Sequence, residues 1–185
     1  MRLRLLRFNI YLLLVGILAG GTGCKSSEEK AKEKEASSLR IFLEASSELI
    51  GDKTAVVPVF RDAPVLVRIT KEPILDEGHL TDARVVDLVG GFAIQVKYDF
   101  RGTLTLESVT SSYRGQRLVI YSLFTEGRWL AAPKITSSIK DGTLLFTPDA
   151  TRAETERIVR GLNNVAIELG NKPKPGKEKK TEATL

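Results

Sequence analysis

The chain has 185 residues, 28 Lys and Arg against 23 Asp and Glu, a formal net charge of +5, and one each of Cys, His and Trp. One cysteine excludes an internal disulfide, one histidine leaves a multi-histidine zinc centre without donors, and the length suits one domain with short appendages. The positive excess does not mark a nucleic-acid binder: 1–23 carries three Arg and 171–185 nets +3, so 39–170 is close to −1 and no basic face for nucleic acid is expected.

At the N-terminus Arg2, Arg4 and Arg7 precede an apolar run over 10–19, and Gly20-Gly21-Thr22-Gly23 leads into Cys24. That order predicts a signal peptide over 1–23 whose removal leaves Cys24 as a lipidated first residue, palmitate included, in the bacterial envelope. Acylation would also consume the chain's one thiol. Two alternatives stand beside it. Gly21 occupies a position where lipoprotein sites usually carry an aliphatic residue, so ordinary cleavage would release a secreted soluble protein. An uncleaved anchor is the third, although 8–23 falls short of the roughly 20 apolar residues a spanning helix needs. Lys25, rather than Asp, after the cysteine favours the outer membrane as destination, with the protein facing the periplasm.

Residues 24–38 form the predicted tether. It has four Lys, four Glu and no branched or aromatic side chain, so it cannot bury enough apolar surface to order itself. Its flexible reach is on the order of 20 Å. The folded domain is expected over 39–170, followed by a disordered basic tail over 171–185 with Pro173, Pro175 and five Lys.

Within the domain, strands are expected at 39–43, 55–60 and 65–69, the last two divided by the turn Asp62-Ala63-Pro64. Strands at 84–89 and 92–98 flank Gly90-Gly91; Phe92, Ile94, Val96 and Tyr98 alternate with smaller or polar residues and predict one buried face. Further hairpins are expected around Glu126-Gly127, joining 117–124 to 129–132, and around Asp141-Gly142, joining 135–139 to 143–146. Asp-Gly between β-branched runs is a strong short-range hairpin signal. Residues 99–113 are ambiguous by periodicity. They alternate locally like a strand, yet Leu106, Val109 and Tyr113 share a helical face behind Asp99 as a cap. The closing helix is clear. Thr151 and Glu154 form a capping box, Ile158, Val159, Leu162, Val165, Ala166 and Leu169 share a face, and Gly170 stands in the terminating position. These elements give an α+β domain with helices on an antiparallel or mixed sheet and additional N-terminal strands.

Taken together, Leu80-Thr-Asp-Ala83, Gly91-Phe-Ala-Ile-Gln-Val96, Tyr98-Asp-Phe-Arg-Gly102, Arg114-Gly-Gln-Arg-Leu118, Gly127-Arg-Trp-Leu-Ala-Ala-Pro133 and the helix from Thr151 resemble a known module. It is the head of the first periplasmic domain of SecD, a subunit of the bacterial preprotein translocase. The resemblance covers 80–165 and implies a ferredoxin-like head with two helices on one sheet, which turns 99–113 towards helix. It also implies contact with polypeptide emerging from the translocon. The membrane helices that couple proton flow in SecD have no counterpart in this sequence, so proton-driven pulling is not expected. The matching residues are mainly turns and core positions, and they carry fold rather than a site.

Chemistry-bearing candidates are few. His79 lies near Asp76, Glu77 and Asp82, all in one short stretch, which suits a surface or capping role better than a metal or acid–base site. The serines at 108–112 and 137–138 have no triad companions other than His79. No catalytic residue, metal or small-molecule cofactor is expected. Trp129 and Leu130, just past a tight turn, are the candidate peptide-gripping residues; the competing reading packs Trp129 into the core, where tryptophan usually resides. Exposed strand edges offer another route, adding a peptide as an extra strand. The expectation is a lipid-anchored envelope protein that binds unfolded exported polypeptide or a translocon subunit. The alternative is a structural envelope lipoprotein that uses the fold for interaction or oligomerisation, with no part in export.

Overall fold

The structure, a computed structural model, describes residues 30–32, 34–46 and 51–173; the expected signal peptide, Cys24 and most of the tail lie outside them. The chain divides into two units, 1–31 and 32–185, and the architecture below is that of the second. Its elements run β1 (Ser38–Leu43), β2 (Thr54–Val59), β3 (Val65–Thr70), a 3-10 turn (Glu77–His79), β4 (Leu80–Leu88), β5 (Gly91–Tyr98), α1 (Phe100–Ser112), β6 (Leu118–Leu123), β7 (Gly127–Ala131), β8 (Thr143–Phe146) and α2 (Arg152–Glu168).

The α+β class holds, but the strands divide among three antiparallel sheets rather than one, ordered β1-β6-β7, β2-β3 and β4-β5-β8. The burial pattern explains the division. In β1, Leu39, Ile41 and Leu43 enter a large core with Ile94, Val96, Leu106, Ile120, Leu130, Ile158 and Leu162. Phe42 points the other way, into a second cluster with Val57, Val59, Val67, Ile69 and Val119. Alternation along a strand sends neighbours to opposite faces, so a sheet with both faces apolar must be covered twice. The β2–β3 hairpin covers one face, and the helices with β4-β5-β8 cover the other.

Both helices start at side-chain caps. Asp99 accepts the Gly102 N–H at 2.7 Å. Thr151 and Glu154 complete the capping box, with the Thr151 N–H donating to Glu154 Oε2 at 2.8 Å. α1 is a helix, as the resemblance implied, but its buried stripe is Gly102, Leu106 and Thr110. The stripe read from periodicity fails at Tyr113, which is exposed. The reason is the close approach of α1 to β5: a Cβ on Gly102 would stand 2.8 Å from Tyr98 Cβ, so only glycine fits against the strand.

The charged tether orders earlier than its composition suggested. Glu35 reaches Arg160 Nε at 2.7 Å and Arg157 Nε at 3.4 Å, and Asn164 Nδ2 donates to the carbonyls of Lys32 and Glu35. Arg160 is the main reason, opposed by partial burial and helped by Arg157, that the Glu35 carboxyl is held below its ordinary range. Ser37 is buried against Gly161, where a Cβ would meet Ser37 Oγ at 2.3 Å. The expected boundary at 39 therefore moves to about Glu35. Composition missed it because the ordering partners are cations on α2, over a hundred residues away. The tail likewise begins docked: Asn171 donates to the Gly78 carbonyl and Lys172 Nζ stands 2.5 Å from Asp82.

Candidate functional site

The site candidates that fall among the described residues have structural partners; Cys24 lies outside them. Leu130 is fully buried in the main core, which removes it as a gripping residue. Trp129 packs edge-on to Phe42 at 5.3 Å and tilts against Tyr121 at 5.0 Å, so its ring is committed to the second cluster. His79 Nδ1 lies 3.2 Å from Asp99 Oδ2, beside the N-terminus of α1. Asp99 is partly buried, yet the Gly102 N–H and His79 hold its carboxyl below the ordinary range. Asp76 accepts the Gly78 N–H and caps the 3-10 turn. Among the described residues no group of three or more His, Cys, Asp or Glu is placed to hold a metal ion.

The site the sequence missed follows from the one hairpin that does not form. Thr143–Phe146 is a strand, but its partner is β5: Ile94 faces Phe146 and Val96 faces Leu144. Residues 135–139 are drawn away. The Ile135 N–H donates to the Gln116 carbonyl at 2.8 Å, the Ile139 N–H donates to Thr110 Oγ1 at 2.9 Å, and Ser138 and Ser111 share a hydrogen bond at 2.8 Å. The segment expected to pair with β8 is thus tied to α1 and the loop after it, leaving the outer edge of β8 without a strand.

The edge can be assigned atom by atom. The Tyr98 N–H donates to the Gly142 carbonyl at 3.0 Å, which makes 98/142, and by alternation 96/144 and 94/146, the hydrogen-bonded pairs. Thr143 and Leu145 therefore turn their backbone groups outward. The Thr143 N–H is taken by Asp141 Oδ1. The outward N–H and carbonyl of Leu145 have no partner among the described residues, and the Leu145 side chain is 47% exposed.

Two cavities flank this edge. One, of about 150 Å³, is lined by residues that include Leu118, Pro133, Lys134, Ile139, Leu144 and Leu145. The other, of about 380 Å³, continues past the end of β8, among Phe60, Ala131, Ala132, Pro133, Phe146 and Asp149. Pro133 lines both, so successive residues of β8 and the following turn look onto a trough whose far wall is 131–139. Its lining is apolar apart from backbone, hydroxyls, Lys134 and Asp149. An unpaired strand edge beside one mixed and one mainly apolar cavity is chemically fitted to an extended polypeptide: backbone hydrogen bonds hold the added strand and cavities take alternate side chains.

No family model matches the sequence, and no curated protein matches it. Solved structures do match the fold. The domain has the fold of the SecD periplasmic head. A structure of SecDF, described as a membrane component that enhances protein export, is 18% identical over 77% of this chain and 70% of that chain, with a TM-score of 0.52. SecDF in a super-membrane-facing form is 18% identical over 76% of this chain and 21% of that chain, with a TM-score of 0.53. At that identity the SecD likeness is one of fold. Among the described residues no helix is long and apolar enough to cross a membrane.

Proposed function

We propose that this protein is a lipid-anchored module of the bacterial envelope, facing the periplasm, that binds unfolded exported polypeptide, or an extended segment of a translocon subunit, as an added strand on β8. The observation that carries the reading is the unpartnered outward backbone of Leu145, in the wall of a mixed polar and apolar cavity that Pro133 shares with a larger, mainly apolar one. The SecD-head fold supports it, since the SecDF protein that shares the fold is described as enhancing protein export. Cys24, outside the described residues, supplies the anchor. The reading is non-enzymatic and needs no cofactor or nucleic acid.

The test is binding of a fluorescent, permanently unfolded polypeptide to the purified domain and to Leu145→Pro. Proline removes one outward N–H, and an edge strand tolerates proline where that N–H faces solvent. The expected result is measurable binding that falls at least tenfold in the variant while the far-UV circular dichroism is unchanged. No binding by the wild type, or equal binding by both, overturns the reading. The anchor is tested separately, by the mass of the mature N-terminus and its change in Cys24→Ser.

A second reading, a structural envelope lipoprotein with one fixed partner, draws on the β2–β3 hairpin, whose outer face exposes Val56, Pro58 and Leu66. Crosslinking in native cells separates the two: varied exported chains support strand addition, and a single envelope protein supports the structural role.

A further inference from the structure

Phe60, directly after β2, has φ +70° and is the one non-glycine residue with positive φ among those described. The left-handed region is strained for a bulky side chain, and such conformations persist only when the surroundings enforce them. Here the enforcement is visible on the next residue. The Arg61 N–H donates to Asp149 Oδ2 at 2.8 Å, and Arg61 Nε lies 3.4 Å from the same oxygen. The result is an aromatic ring, 39% exposed, lining the larger cavity together with Ala131, Ala132 and Phe146.

The charges along the trough are also unequal. Asp149, at the Phe60 end, is satisfied by Arg61. Lys134, in the lining of the smaller cavity, is exposed and has no anionic partner among the described residues. The one uncompensated charge facing an occupant is therefore positive, and its chain neighbour Pro133 lines both cavities.

We infer that the trough reads its occupant at two points: a large apolar side chain of an extended polypeptide enters the cavity walled by Phe60, and a carboxylate on the same polypeptide pairs with Lys134. The inference rests on the strand-addition reading and names the class of segment that β8 accepts. It makes the trough selective for apolar segments bearing an acidic residue, and disfavours apolar segments bearing a basic one.

The experiment uses three labelled ten-residue peptides that remain extended. One carries Phe and, four residues along, Glu; the second replaces Glu by Lys; the third replaces Phe by Ser. Fluorescence anisotropy at low salt is expected to rank the Phe/Glu peptide about tenfold above each of the others, with the Glu/Lys difference shrinking as salt screens the pair. Lys134→Glu is expected to invert the Glu/Lys order, which a merely structural role for the lysine would not do. Phe60→Asn keeps a residue type that tolerates left-handed backbone and is expected to erase the Phe/Ser difference while leaving the Glu/Lys difference in place. Binding of all three peptides with equal affinity, or variants that leave the ranking untouched, overturns the inference and leaves strand addition standing. Absence of binding by every peptide, together with failure of unfolded polypeptide to bind, overturns strand addition itself.

Discussion

Two glycine turns in this molecule look alike in sequence and end differently. Gly90-Gly91 joins β4 to β5 in a hairpin paired from Leu88–Gly91 down to Asp82–Lys97, as its flanking β-branched runs predict. Asp141-Gly142 carries the stronger turn signal, yet the run before it joins no sheet and bonds instead to Gln116 and Thr110, and the run after it joins a strand about fifty residues earlier. The glycines themselves show the difference. Both have positive φ, +86° at Gly90 and +68° at Gly142. A Cβ at Gly90 would meet nothing within 4 Å, whereas one at Gly142 would stand 2.1 Å from Thr103 Oγ1 on α1. The first turn is free in solvent and local energetics decide it. The second is pressed against a helix, and the helix decides what its flanks do. Turn chemistry thus predicts a turn in both places but a hairpin only where no tertiary partner competes.

The pairing of β8 with β5 carries the largest expected effect. Phe146 is 3% exposed and faces Ile94 across the ladder. Phe146→Ala is expected to destabilise the domain by about 3–5 kcal/mol in urea unfolding, the range for deleting a buried aromatic ring. A loss under about 1 kcal/mol would mean that β8 is not held by β5. The two glycines sharpen the contrast. Gly142→Ala combines left-handed strain with the approach to Thr103, and a loss of about 2–3 kcal/mol is expected. Gly90→Ala carries the strain alone, and about 1 kcal/mol is expected. Equal losses would remove the distinction between a free turn and a packed one.

A third turn, Glu126-Gly127, is tied to α2 by charge, which makes its stability depend on pH. Arg128 pairs with both Glu126 and Glu154, reaching Glu154 Oε1 at 3.1 Å. The Thr151 N–H, then Arg128, hold the Glu154 carboxyl down to about 2 against partial burial. A carboxyl lowered in the folded state stabilises fully above its unfolded value of about 4.5 and loses that contribution as pH falls towards 2. The expected contribution is on the order of 1 kcal/mol once the carboxylate's exposure to solvent is allowed for. The unfolding midpoint in urea should drop between pH 5 and about 2, and Glu154→Gln should flatten that slope while lowering stability at neutral pH. A variant as steep as the wild type would place the acid sensitivity elsewhere.

Much of the fold was legible because local signals and burial agree. The capping box at Thr151 and Glu154 and the apolar face through Ile158 and Leu162 specify α2 without help, and Phe92 to Tyr98 alternates as β5 must. The candidate site was not legible, for a physical reason. Trp129 and Leu130 drew attention as large apolar residues near a turn, but an apolar side chain is also what a core requires: Leu130 is buried in it, and Trp129, partly buried, packs against the second cluster. The trough is made by a negative event, the diversion of 135–139, and among the groups that hold it away are the Gln116 carbonyl, the Ser111 hydroxyl and the Thr110 hydroxyl. In sequence Thr110 is one polar residue in an ambiguous helix. In the fold it is fully buried, donates to the Leu106 carbonyl and accepts the Ile139 N–H. Positive φ at Phe60 has no sequence signature either, since phenylalanine is a poor choice for it.

By itself, then, the sequence determined the α+β class, where most strands and the last helix lie, and a charged approach ending in a domain; each follows from propensity, periodicity or composition over a short window. The division into three sheets, the docking of Glu35 on Arg157 and Arg160, and the open edge of β8 were decided only in the tertiary structure. These depend on which distant groups reach a backbone N–H or a carboxylate first, and the distance between competing partners along the chain says nothing about their distance in space.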